Sequence, residues 1–206
     1  MPMTFPAHQG LILPVVRRWP YSFDALALSV GAAMPDITDS LLGFSLNGYF
    51  KQWYGHALVG IFTLDLLGGL LITWFIAGFA SRFIRKVPSL QGLRTFFTNV
   101  PSNGGATVVH WRTRLSLWSF SVLVGILSHV GFDLISHDTN LLLYPWYENP
   151  RWFPGWWYTI WFEIHPLPMF GHSYSVGVFS VIWCMLSLIG IFLFLGFVIP
   201  KKENRG

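Results

Sequence analysis

An all-α integral membrane bundle is the fold class the sequence predicts, and three observations carry it. Of 206 residues, 53% are hydrophobic and only 11% charged, against roughly 25% charged in an ordinary soluble domain. Mean hydropathy is +0.51. Three apolar stretches, 57–80, 115–135 and 174–199, each reach the roughly 20 residues a helix needs to cross the hydrocarbon core. This composition excludes a disordered chain, a coiled coil and a nucleic-acid-binding module. The one cysteine, Cys184, excludes a disulfide framework and a thiolate zinc cluster. The length suits a single membrane domain over 1–206.

The N-terminal region, 9–34, is apolar but broken. Gln9–Val16 and Phe23–Met34 are too short to cross, Pro14 and Pro20 interrupt them, and Pro35 closes the second. They are expected to form two short helices, a hairpin packed in or against the membrane. The alternative is a fourth span from Tyr21 to Leu46, which would carry Asp24, Asp36 and Asp39. No positive segment precedes the apolar part, so it does not read as a secretory signal. The first long span carries one charge, Asp65, and the second carries Asp133 with His129. The third carries none, and Cys184 within it reads as apolar filling.

Loop charge sets the orientation. The loop 81–114 holds Arg82, Arg85, Lys86, Arg94, Arg112 and Arg114 without an acid, and the tail holds Lys201, Lys202 and Arg205. The positive-inside rule places both in the cytoplasm. The connection 136–173 then faces outward with a single basic residue, Arg151. Arg17 and Arg18 fit only if the N-terminal region crosses, which leaves the side of the N-terminus open. Trp146, Trp152, Trp156, Trp157 and Trp161 crowd the outward connection. Indoles favour the headgroup layer, so an interfacial anchor is the first reading and a cation–π headgroup cage the second.

Polar residues gather at the outer end. His56 lies at the mouth of the first span, His129, Asp133 and His137 at the outer end of the second, and His165 and His172 before the third. His110 lies in the basic loop and reads as a surface residue. His129, Asp133 and His137 are spaced by four, so each lies one turn on and about 40° round, on one stripe. An imidazole and a carboxylate one turn apart can reach one divalent cation. A polar network tying helices together and a proton relay are the competing readings. Asp36 and Asp39, expected in the turn after Pro35, add the anionic oxygens that a two-metal site requires. Asp65, half a turn out of phase with His56, is expected to pack or to supply counter-charge.

The order Pro6-Ala7-His8, Met34-Pro35-Asp36, Gly55-His56-Ala57-Leu58-Val59-Gly60, Ser128-His129-Val130-Gly131-Phe132-Asp133-Leu134-Ile135-Ser136-His137-Asp138 and Gly171-His172-Ser173-Tyr174 carries a resemblance. The chain resembles a bacterial membrane family, domain of unknown function four-one-eight-four. Its pattern is similar to LexA-regulated inner-membrane metal-dependent hydrolases. More distantly it resembles zinc-dependent phospholipases C and zinc nucleases, with their His-x-x-x-Asp helix motif. Where the inner-membrane hydrolases show a denser histidine stretch, this chain has only Gly55-His56-Ala57. The resemblance implies a divalent-metal site and hydrolase ancestry in a bacterial inner membrane. It carries over His8, Asp36, His56, His129, Asp133 and His137 as candidate ligands.

Two functions follow as expectations. One is a membrane-embedded hydrolase holding zinc or manganese, with Asp39 or Asp138 as general base. Its substrate would be a lipid or lipid-linked phosphate ester entering at the outer interface. The other is a non-catalytic membrane protein, a transport component or a scaffold. No internal repeat of the transporter kind is discernible.

Overall fold

The computed structural model describes residues 6–45, 54–84, 111–137, 142–146, 151–164 and 174–198. Short helices come first: α1 (Ala7–Ile12), α2 (Pro14–Arg18), α3 (Ala25–Gly31) and α4 (Met34–Ser45). A helical rod follows, made of α5 (Leu58–Gly60), a π-helical turn at Ile61–Asp65 and α6 (Leu66–Ile84). Next is the long helix α7 (Trp111–Ser136). A 3-10 turn at Gly155–Tyr158 leads to β1 (Ile160–Ile164), β2 (Tyr174–Gly177) and the helix α8 (Val178–Val198).

Three helices are long and apolar enough to cross a membrane: Leu58–Phe79, Arg114–Ser136 and Val178–Val198. Their outward faces carry large exposed apolar side chains, such as Leu71, Trp74 and Phe75 on α6 and Leu188 and Phe192 on α8. That is the surface a helix shows to lipid rather than to water. The pair α3 and α4 qualifies jointly as one span bent by 42°. The region 9–34 therefore holds three short helices rather than two, and the last of them, with α4 beyond it, has the dimensions of the alternative fourth crossing.

Prolines explain the difference. Pro35 does not stop a helix; it sits in the first turn of α4, and Pro14 opens α2. A first-turn proline loses no intrahelical bond, because its N–H would have no partner there. Asp36 and Asp39 consequently lie on a helix rather than in a turn.

Two further expectations are corrected. The all-α reading misses an antiparallel two-stranded sheet, in which Phe162 pairs with Val176 and Ile164 with Tyr174. β1 reads Ile-Trp-Phe-Glu-Ile, the β-branched and aromatic residues that favour a pleated strand. The third span therefore starts at Val178, since Tyr174–Gly177 is strand.

The core is helix against helix. Leu26, Val30, Met34, Ile61, Ala77, Val122, Ile126 and Val130 form one buried cluster between α3, α4, the π-helical turn, α6 and α7. α3 lies very close to α7: a Cβ at Gly125 would come within 2.3 Å of the Leu28 carbonyl oxygen. Small residues permit such backbone approach between membrane helices. Asp24 caps α3 by accepting from the Ala27 N–H at 2.9 Å, and its other oxygen accepts from the Trp118 indole at 3.2 Å. One of the N–H groups at the start of α3 is thereby satisfied.

Candidate metal centre

α7 contributes the stripe. His129 is fully buried and Asp133 is nearly so, and His137 follows one residue past the helix end. The Asp133 carboxylate is the centre of the cluster. Its Oδ2 lies 2.9 Å from His56 Nε2 and 3.2 Å from His129 Nε2. Its Oδ1 lies 3.6 Å from His8 Nε2 and 3.5 Å from His137 Nδ1. Asp36 completes one side, with Oδ1 3.6 Å from His56 Nε2 and Oδ2 3.7 Å from His129 Nε2. The structure thus brings His8, Asp36, His56, His129, Asp133 and His137 together, from four separate stretches of chain.

Local structure explains each arrival. The break between α3 and α4 leaves the Ala32 carbonyl free to accept from His129 Nδ1 at 2.8 Å. Gly55 lies against the start of α4, where a Cβ would come within 2.3 Å of the Pro35 carbonyl oxygen. That contact sets His56 beside Asp36. α1 enters from the other side, and its His8 ring stacks on His129 at 4.1 Å between centroids.

Tautomers then decide the chemistry. A carbonyl oxygen only accepts, so His129 Nδ1 carries the proton and Nε2 carries a lone pair. His56 likewise turns Nδ1 to the Asp39 carboxylate at 2.8 Å. The two Nε2 atoms then face each other at 3.1 Å, beside Asp133 Oδ2. Lone pairs and anionic oxygens so close, shielded from water, need a positive charge between them. Asp36 Oδ2, Asp133 Oδ1 and His8 Nδ1 are also buried without a hydrogen-bond partner. Buried polar atoms are rarely orphaned in this way.

Charge states agree. Burial, then the neighbouring His129, pushes His8 down to about 3. Burial also lowers His137, against the opposing pull of Asp133. Both are neutral imidazoles at pH 7, the form that binds metal. Burial lowers His56 as well, but the Asp133 and Asp39 carboxylates outweigh it and lift His56 to about 10. With no cation bound, a proton on His56 supplies the missing charge.

Two overlapping sets offer three ligand atoms within 4.8 Å of one another: His8, His129 and Asp133, and Asp36, His56 and His129. Nitrogen and carboxylate oxygen in such sets suit zinc, and manganese accepts them too.

Asp39 takes a different place from the free general base expected of it. Its Oδ1 accepts from the Gly55 N–H at 2.7 Å and its Oδ2 from His56. Both oxygens are engaged, so it orients His56. Asp65 accepts from the Thr38 hydroxyl, between Asp36 and Asp39 on α4. The phase argument from His56 does not apply to Asp65, because His56 precedes the helix and the π-turn alters the phase after it. Asp138, His110, His165 and His172 lie outside the described residues.

Sequence reasoning missed the Ala32 carbonyl, the Thr38–Asp65 pair and the orienting role of Asp39. The i,i+3 spacing of Asp36 and Asp39 was the available signal for the last, hidden by reading Pro35 as a stop. Comparison with curated proteins returns no match, and neither does comparison with solved structures. The family model described as Domain of unknown function (DUF4184) matches residues 1–203, and the chain belongs to that family.

Proposed function

We propose that this protein is a membrane-embedded, divalent-metal-dependent hydrolase, acting on a phosphate ester borne by a lipid or lipid-linked molecule in a bacterial inner membrane. One observation carries the reading. His56 and His129 have their Nδ1 atoms tied back to Asp39 and to the Ala32 carbonyl, and their Nε2 lone pairs aimed at one point beside two carboxylates. Zinc or manganese held there would activate a water and polarise a phosphoryl oxygen. His56, His129, Asp36 and Asp133 would hold one position, and His8 and His137 the side of Asp133 Oδ1. Asp39 keeps the His56 ring in its ligating tautomer, as carboxylates behind metal-bound histidines do. Asp138, next in sequence to His137, is the remaining candidate for general base. Burial of the cluster within the bundle excludes bulk water from the reacting groups.

A second reading has its own support. The 42° break between α3 and α4 falls beside the cluster, where the Ala32 carbonyl meets His129, and helices broken beside a polar site are a transporter feature. A transport component or scaffold with a structural cation would use the same ligands. Elemental analysis of detergent-purified protein, followed by assay against bis(p-nitrophenyl) phosphate and a phospholipid, separates the readings. Stoichiometric metal with hydrolysis that a chelator abolishes supports the hydrolase. Stoichiometric metal without hydrolysis of either substrate favours the second reading, and absence of metal refutes the metal centre.

A further inference from the structure

The ligand set is not built from the long helices alone. His8 rides on α1, a helix of six residues, too short to be stable by itself in any setting. Its position must come from what it packs against. The main partner is α8, which contributes none of the candidate ligands.

The seat is specific. At their crossing, Gly10 of α1 and Gly190 of α8 bring backbone against backbone. A Cβ on Gly190 would meet the Ala7 carbonyl oxygen at 2.1 Å, and one on Gly10 would meet the Gly190 carbonyl oxygen at 1.7 Å. Neither contact admits a methyl group, and the obstacle on each side is backbone, which cannot rotate away. Ala7, the residue pressed on Gly190, immediately precedes His8. One turn beyond α1 a second fastening appears. The Arg17 guanidinium donates to the Gly196 carbonyl at 2.7 Å and lies over the Phe197 ring at 4.9 Å. It thereby satisfies a carbonyl near the end of α8, where the helix has no further N–H to offer.

We propose that α8 is the seat of the His8-bearing helix, and that Gly190 is the positioning residue that fixes how far His8 reaches toward Asp133. The proposal rests on the metal-centre reading above and adds a dependence that reading does not contain. Gly190 has no side chain to offer a cation, and it acts on the cluster through α1. The cation position on the Asp133 Oδ1 side is then assembled by helix docking. The position between His56 and His129 is held by other elements and does not need α1.

Cobalt(II) titration of the full-length, detergent-purified protein tests this, because its visible absorption reports coordination at each position. His8→Ala defines the signature of a lost imidazole. Gly190→Leu is expected to reproduce that signature and to weaken cobalt binding at this position by about tenfold or more. The double variant His8→Ala/Gly190→Leu should differ little from either single one, because effects passing through one residue are not additive. Leu188→Phe adds bulk on the exposed face of the same helix and should keep the wild-type spectrum. If Gly190→Leu does not fold, Gly10→Ala presses on the same crossing from the other helix and is expected to give the His8→Ala signature. A wild-type spectrum in a folded Gly190→Leu or Gly10→Ala protein, or fully additive losses in the double variant, would overturn the proposal while leaving the metal centre standing. A wild-type protein that binds no cobalt overturns both.

Discussion

Replacing Asp39 by asparagine removes one charge and almost no volume. Asp39 Oδ2 lies 2.8 Å from His56 Nδ1, and Oδ1 accepts the Gly55 N–H at 2.7 Å. An amide oxygen can keep only one of these bonds. If it keeps Gly55, the amide N–H₂ faces His56 Nδ1, and two donors meet. His56 relieves the clash by moving its proton to Nε2, the atom aimed at the cation position, or by rotating away. Either change costs metal affinity. Carboxylates behind metal-bound histidines are worth roughly 10–100-fold in affinity, about 1.4–2.8 kcal/mol. The side chain of Asp39 keeps 17% exposure, so solvent screens part of its charge and the lower half of that range is expected. Competition with a chromophoric zinc chelator measures it directly. The variant should bind zinc about 10–30-fold more weakly and regain activity when zinc is raised. Unchanged zinc affinity with abolished hydrolysis would falsify the orienting role and restore Asp39 as the general base.

Other outcomes follow from the same geometry. His129→Ala and Asp133→Ala should each strip bound metal, because every cation position described uses one or both. Asp65→Asn should leave metal content intact, since its one described hydrogen bond is to Thr38; elemental analysis of the three variants side by side checks both statements. Zinc affinity should rise with pH from about 6.5 toward about 10, because the cation must displace the proton that His56 holds in the metal-free protein. A flat zinc affinity across pH 6.5–9 by titration would contradict that. Saturating zinc at about 100 times its Kd should raise unfolding stability by about 2.7 kcal/mol, visible as a higher Tm that a chelator reverses.

How much of this was readable from the residues divides along a physical line. The long spans were legible because lipid imposes length and hydropathy on each helix separately. The His129–Asp133–His137 stripe was legible because helical periodicity is local. Pro35 misled because a proline marks a helix start as readily as a helix end, and only the neighbouring chain decides which. The strands at Ile160–Ile164 and Tyr174–Gly177 were hidden by hydropathy, which counts apolar residues and ignores shape. Orientation of His56 and His129 depends on Asp39 and on a main-chain carbonyl at Ala32. A carbonyl has no letter in the sequence, so no spacing rule could have found it.

The placement of Arg17 and Arg18, ambiguous from charge alone, follows from contacts across the bundle. Arg17 bonds to Gly196 near the C-terminal end of α8, and the basic tail 201–205 continues from that end. Arg114 stacks on Trp118 at the start of α7, and Asp24, opening α3, bonds to the same Trp118 and to Ser121. The ends of α2 and α8 and the starts of α3 and α7 therefore share one face of the bundle. The ligand cluster sits toward the other, with Asp133 three residues, or about 5 Å of helix, from the end of α7 at Ser136. With this arrangement Arg17 and Arg114 lie on the same face, next to the end of the basic loop and the start of the basic tail, and the positive-inside rule keeps that face in the cytoplasm. In a Cys184→Ser background, Tyr21→Cys at an 87% exposed position and Asn204→Cys in the tail should be shielded alike from an impermeant thiol reagent added outside. Trp146→Cys, 73% exposed on the connection between α7 and β1, should react. Labelling of Tyr21→Cys together with Trp146→Cys would place α2 on the wrong face, detach Arg17 from Gly196, and remove the fastening on which the seating of His8 partly depends.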